Sequence, residues 1–129
     1  MEMVASLFNS DNYTAVKKMM DVAALRHAAI ASNIANVSTP GYKRVDLGRS
    51  FELELIKTID GRDAAKISAL DPSIETDSLT PSTRADGNNV QLDSELLKLT
   101  TNTSNFDALS QFASGSLKQL RTAITGRPA

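Results

Sequence analysis

Cysteine and tryptophan are absent from this 129-residue chain, which also has only four phenylalanines, two tyrosines and one histidine. Without cysteine there is no disulfide and no thiolate metal site. A single histidine leaves acid–base and nucleophilic catalysis short of parts. His27 falls on a helical stripe with no second histidine to share a metal and no Ser or Thr paired to it by spacing. Glycine-rich phosphate loops are missing. The acidic run from Asp86 to Glu95 is not a calcium loop, since a loop opening at Asp86 would need glycine and glutamate where Gln91 and Leu97 stand. The remaining carboxylates fall on helix faces or in a polar middle stretch, where solvated surface is the expected role. No enzyme activity, metal or cofactor is therefore expected. The formal net charge of −1 and scattered basic residues give no patch for nucleic acid. No apolar run reaches the roughly 18 residues of a membrane span, so no direct membrane insertion is expected. The start, Met1-Glu2-Met3-Val4-Ala5, lacks the regions of a cleavable signal peptide.

What the chain does have is two long apolar stripes. Val16, Met20, Ala23, His27, Ile30, Ile34 and Val37 alternate spacings of four and three, the seam of a coiled-coil helix. The spacing predicts a helix over 12–36, capped by Asp11, with Leu7 and Phe8 stapled onto it. Near the other end, Leu92, Leu96, Leu99, Thr103, Phe106, Ser110, Ala113, Leu117, Leu120 and Ile124 repeat the pattern. This predicts a helix over 94–125, capped by Asp93 and ended by Gly126 and Pro128. Small and polar Thr103, Ser110 and Gly115 suit close contact with neighbours. Much of the apolar content is alanine, which buries little area, so the helices are expected to order on assembly.

Between the stripes the signals are breakers. Pro40 cannot continue a helix and pushes Thr39 out of helical geometry, while Gly41 supplies the positive φ of a type II turn. Asn33 and Asn36, one turn apart, are expected to tie off the helix end. Leu47, Phe51, Leu55 and Ile59 predict a short helix over 44–59, stopped by Asp60-Gly61. The stretch 62–85, with Pro72 and Pro81, reads as irregular loop with a brief extended segment over 65–70. Asp86, Gly87, Asn88 and Asn89 predict a turn, with Val90 and Leu92 pointing to one side. The expected fold is mainly α: a single domain over 1–129, its long terminal helices pairing as a coiled-coil-like layer joined by a turn, a short helix and a long irregular loop.

Asn33-Ile34-Ala35-Asn36 followed by Thr39-Pro40-Gly41-Tyr42-Lys43 resembles the N-terminal signature of the flagellar rod and hook family, the axial proteins of the bacterial basal body. Asp86-Gly87-Asn88-Asn89-Val90, with Leu92, Asp93 and Glu95, resembles the second block of its proximal rod type, and Leu120 to Gly126 resembles that type's ending. Phe106 stands where the type usually has tyrosine. The resemblance implies a structural subunit of the proximal rod, polymerising through its terminal helices and helping to transmit torque. Implied partners are copies of itself, other proximal rod proteins, the adaptor joining rod to membrane ring, and the flagellar type III export apparatus. The implied place is the periplasmic rod, reached by export without a cleaved signal. Asn33, Asn36, Pro40 and Gly41 would set a rigid corner after the first helix, and Asn88, Asn89 and Val90 would return the chain to the second. The stripes alone also fit a soluble helical adaptor that never polymerises.

Overall fold

Two long helices form the frame: α1, Asp11–Ala35, and α4, Leu92–Thr125. The structure is a computed structural model that describes residues 11–127. Leu7, Phe8 and Pro128, given roles in stapling and stopping the helices, lie outside the described residues. The helices run antiparallel, since Asn33 near the end of α1 bonds Glu95 near the start of α4, and Asn102 a further two turns along bonds Ala23. The fold is mainly α, as the stripes require.

The middle of the chain packs beside α1 as β1 (Val45–Leu47), α2 (Arg49–Asp60), α3 (Ala64–Ala69) and β2 (Ile74–Thr76). The two strands pair antiparallel with Val45 opposite Thr76 and Leu47 opposite Ile74. Three expectations are corrected here. Val45 to Leu47 are strand and the helix begins only at Arg49, because Gly48 breaks the run. The segment expected to be extended is α3, since Asp63 accepts a hydrogen bond from the Lys66 amide and caps it. The extended piece lies further on, at β2. Lys18 of α1 then ties down the end of α3 by donating to the carbonyls of Ser68 (3.3 Å) and Leu70 (2.7 Å).

α1 is buried on two sides. Ala23 and Ile30 belong to the expected stripe, but Val22 packs with Leu47 and Phe51, joined by Leu25, Leu55, Leu70 and Ile74, and Ala29 is buried as well. His27 is exposed, while Val16, Met20 and Ile34 are half-buried. In α4 the inward positions are Glu95 and Asn102, flanked by half-buried Leu99, Phe106, Ala113 and Leu120. Leu92, Leu96, Leu117, Ile124 and Thr103 are exposed. The inward face thus shares Leu99, Phe106 and Leu120 with the apolar stripe and completes it with polar residues. Leu92 does not share a side with buried Val90. Gln91, not Asp93, stands at the N-cap of α4, without a side-chain bond. Gly115 makes no close contact, since an added Cβ would meet nothing within 4 Å.

The end of α2 places its glycine one residue early. Gly61 has ordinary helical angles (φ −71°, ψ −11°), while Arg62 takes the left-handed conformation at φ +51°. An alanine Cβ at position 61 would sit 3.5 Å from the carbonyls of Lys57 and Thr58, an ordinary contact. Gly61→Ala should therefore raise stability by about 0.4–1 kcal/mol through the unfolded chain. Arg62→Gly should also be tolerated without loss, because relief of positive φ offsets the added freedom. Urea unfolding of each variant measures both.

Candidate functional site

The end of α1 is where the chain's specific polar residues converge. A helix ends with carbonyls that have no partner within it. Asn36 serves the Ser32 carbonyl with both its backbone N–H and its side-chain amide (3.1 and 2.8 Å). The chain then turns through Thr39 to Tyr42, closed by the Tyr42 amide donating to the Thr39 carbonyl at 3.3 Å. Gly41 sits at φ +72°, the sign a type II turn demands at its third position. Beyond the turn, the Gly41 amide donates to the Asp86 carbonyl at 2.9 Å, so the two glycine turns, at Gly41 and Gly87 (φ +80°), lie back to back.

Asn88 satisfies the carbonyls of the turn just beyond the helix from a distant part of the chain. Fully buried, it donates its side-chain N–H groups to the carbonyls of Asn36 (2.9 Å), Val37 (3.2 Å) and Thr39 (2.8 Å). Its side-chain oxygen accepts from the Val90 amide at 2.8 Å, and its own amide donates to Asp86. Arg84 adds a donor to the Val37 carbonyl. Asn89, next along, accepts from the Arg44 amide (2.6 Å) and donates to the carbonyls of Asp77 and Thr80 (3.0 Å each), pinning the segment after β2. Val90 is buried below them. Ile34 is half-buried, while Ala35, Thr39, Pro40 and Asp86 are exposed.

Asn33 does not cap the helix. Its amide behaves as a peptide group paired to β1, donating to the Val45 carbonyl and accepting from the Val45 amide, both at 2.8 Å. The remaining capacity is filled by Glu95, to which it donates (3.0 Å), and by Tyr42, whose hydroxyl donates to it (3.2 Å). All four hydrogen-bonding positions of the side chain are therefore used. Only a residue with donor and acceptor on one short planar group fits.

Arg44 is the charged centre of the corner, and sequence reasoning missed it. It is buried and reaches Glu95 (3.0 Å), Asp46 (2.8 Å) and Asp77, drawing together β1, the segment after β2, and α4. Burial alone would lower its pKa, but hydrogen bonds to Asp46 and Asp77 and the charge of Glu95 raise it above its ordinary value. The carboxylates respond in the opposite sense. Burial works to raise Asp77, yet Thr80 and Arg44 hold it well below the usual range. Burial likewise opposes the fall at Asp46, which Arg44, the Leu47 amide and Arg26 bring about. These carboxylates, and fully buried Glu95, do not belong to the solvated faces to which composition assigned them. The signal that would have found Glu95 and Asn102 is their seven-residue spacing beside Leu99 and Phe106, a polar column within a heptad.

Comparison with known proteins falls on the same residues. Residues 20–43 match the family described as flagella basal body rod protein. The chain is 32% identical over 113 residues to the flagellar basal body rod protein FlgB of Bacillus subtilis, covering 79% of this chain and 84% of that one. The FlgB of Borrelia hermsii is 35% identical over 103 residues (66% and 74%), and that of Escherichia coli 30% over 124 residues (84% and 88%).

Asn88→Asp keeps the shape of the side chain but sets an acceptor against three carbonyls. It should cost about 3 kcal/mol or more at neutral pH, read as a lowered urea midpoint. The Arg44 cluster makes a pH prediction. Asp46 and Asp77 are held below 3.8 in the folded state, so their contribution is complete above that value and is lost as pH falls through their folded values. The urea midpoint should stay level from about pH 7 to 5 and fall steeply below about 3.8. Asp77→Asn should lower the neutral-pH midpoint and flatten that fall.

Proposed function

The chain belongs to the flagellar basal body rod proteins of the FlgB type, and from that membership we propose that it is a subunit of the proximal rod that polymerises through α1 and α4. A flagellar basal body rod protein is a structural component, and the role is carried by shape and contact, without chemistry. What supports polymerisation is the combination of a rigid corner and uncovered helices. The two blocks of the sequence, Asn33 to Tyr42 and Asp86 to Val90, are bonded to each other and fix where α1 leaves and α4 returns. Exposed on the helices beyond them are Met19 of α1 and Leu92, Leu96, Phe112, Leu117 and Ile124 of α4. Side chains of this size left in water contribute roughly 1.5–3 kcal/mol each when covered, so a neighbour gains by packing on them.

In this reading the neighbours are copies of the chain, the other proximal rod proteins, and the adaptor that joins rod to membrane ring. The subunit arrives through the flagellar type III export apparatus without a cleaved signal and takes its place in the periplasmic rod. Helices held at a fixed corner resist being twisted relative to each other, which is what passing torque from the membrane ring along a rod requires. Val16, Met20, Ile30, Leu96, Leu99, Phe106, Leu117, Leu120 and Ile124 divide between the helix pair and its neighbours, Ile30 within the pair and the exposed leucines toward other subunits.

Fractionation tests this. An epitope-tagged chain should co-purify with detergent-extracted basal bodies, whereas recovery solely in soluble extract would sink the rod reading in favour of a soluble helical adaptor. Gly41→Val should separate folding geometry from expression. An added Cβ finds only the Asp86 carbonyl, 4.0 Å away, so there is space, but a β-branched residue resists φ +72°. A penalty of about 2 kcal/mol at the corner should leave the protein expressed and reduce both its incorporation and motility. Normal motility would count against the corner's role.

A further inference from the structure

Helix α2 carries charges that the single chain does not use. Arg49 opens it and Asp60 closes it, both exposed, and neither has an ion-pair partner among the described residues. Their placement opposes the helix dipole, which favours acid at the start and base at the end. Two apolar residues lie between them on the same face, Leu53 at 63% exposure and Ile56 at 59%. Positions 49, 53, 56 and 60 follow spacings of four, three and four, a single stripe along the helix. The opposite face, with Phe51 and Leu55, is the one turned into the core.

The stripe is self-complementary when reversed end to end. Laid antiparallel against itself about an axis midway between positions 53 and 56, Arg49 of one helix faces Asp60 of the other. In the same register Leu53 faces Ile56, and flanking Glu52, which pairs with Arg26 of its own chain, lies opposite Lys57. A parallel arrangement would instead set Arg49 against Arg49 and Asp60 against Asp60. We propose that two copies of this chain pair through antiparallel α2 helices, with the charges at each end of the stripe satisfied by the partner. Beside α2 a groove of about 580 Å³, walled by Met19 and Arg26 of α1 and by Asn105, Ala108 and Leu109 of α4, leaves room for side chains of the incoming helix. The contact uses the same patch on both copies, so it closes on itself and does not extend a stack. It therefore belongs to the free subunit, where it covers Leu53 and Ile56, and it stands whether or not the chain enters a rod. Built on a single three-turn helix, it falls in the small, reversible class of interface.

Charge reversal tests it in the full chain. Sedimentation equilibrium over a concentration series should show a monomer–dimer equilibrium. Arg49→Asp and Asp60→Arg should each weaken it by about tenfold or more, since each sets like charges against one another twice in the pair. Both single variants agree better with the helix dipole than the natural residues, so circular dichroism should show helicity unchanged or raised. An equimolar mixture of the two single variants should regain the dimer. In the mixed pair the two introduced charges face each other at one end of the stripe, and the natural Asp60 and Arg49 face each other at the other. A chain that stays monomeric to its solubility limit would overturn the pairing. So would single variants that dimerise as before, a mixture that stays monomeric while both components are folded, or growth past the dimer that the reversals leave untouched.

Discussion

A chain that leaves a helix against other structure must find donors for its carbonyls; here Asn36 and Val37 close the last turn of α1 locally, and the turn beyond it is satisfied from a distant segment. The Asn88 side chain supplies N–H groups to Asn36, Val37 and Thr39 together. A lysine or arginine in its place would bring a charge that then needs its own partner. A side-chain amide is neutral and short, with a spare acceptor, which Asn88 gives to Val90. Asn33 applies the same chemistry to a strand, standing in for a neighbouring peptide at Val45. The corner is built from amides because each must both give and receive hydrogen bonds where the side chains are buried.

Arg44 adds a different kind of constraint. Removing a guanidinium and its carboxylates from water costs much of what their attraction returns, so the cluster is weak evidence for stability as such. What it fixes is identity of contact. Only one arrangement brings Asp46, Asp77 and Glu95 to the same planar group while Asn89 holds the Arg44 amide. The exposed pair Lys66–Asp63, with side chains 76% and 41% accessible, fixes nothing comparable and contributes little. Burial, not the number of ion pairs, decides which of them shape the fold.

This explains which parts of the molecule could be read from the sequence. Both long helices were legible because their stripes run for many turns, and the turn was legible because Pro40 and Gly41 carry their geometry within themselves. Strands of three residues have no periodicity to detect, so β1 was absorbed into a helix that begins only at Arg49. Glu95 and Asn102 were invisible for the opposite reason: they sit on the inward face of a strongly periodic helix, where a polar residue reads as solvated unless its partner is known. Their partners, Arg44 and Ala23, lie 51 and 79 residues away. The same separation hid Asn33, read as a cap because its nearest sequence context is a helix end, although its partners lie on β1 and α4.

The bond from Asn88 to the Asn36 carbonyl closes a span of 52 residues, which bears on the order in which the molecule forms. Helical segments appear within about a microsecond, whereas a contact between distant parts of a chain waits on the entropy of closing the loop between them. α1 with its local cap can therefore exist long before the turn that follows it is fixed. Until residues 84–95 arrive, its last turn is held only by the local bonds from Asn36 and Val37, and the carbonyls of the turn that follows have no donor from Asn88. The angle between the first helix and the rest of the subunit is then the last feature to be set, and its amides should be the first to exchange with solvent when the protein breathes.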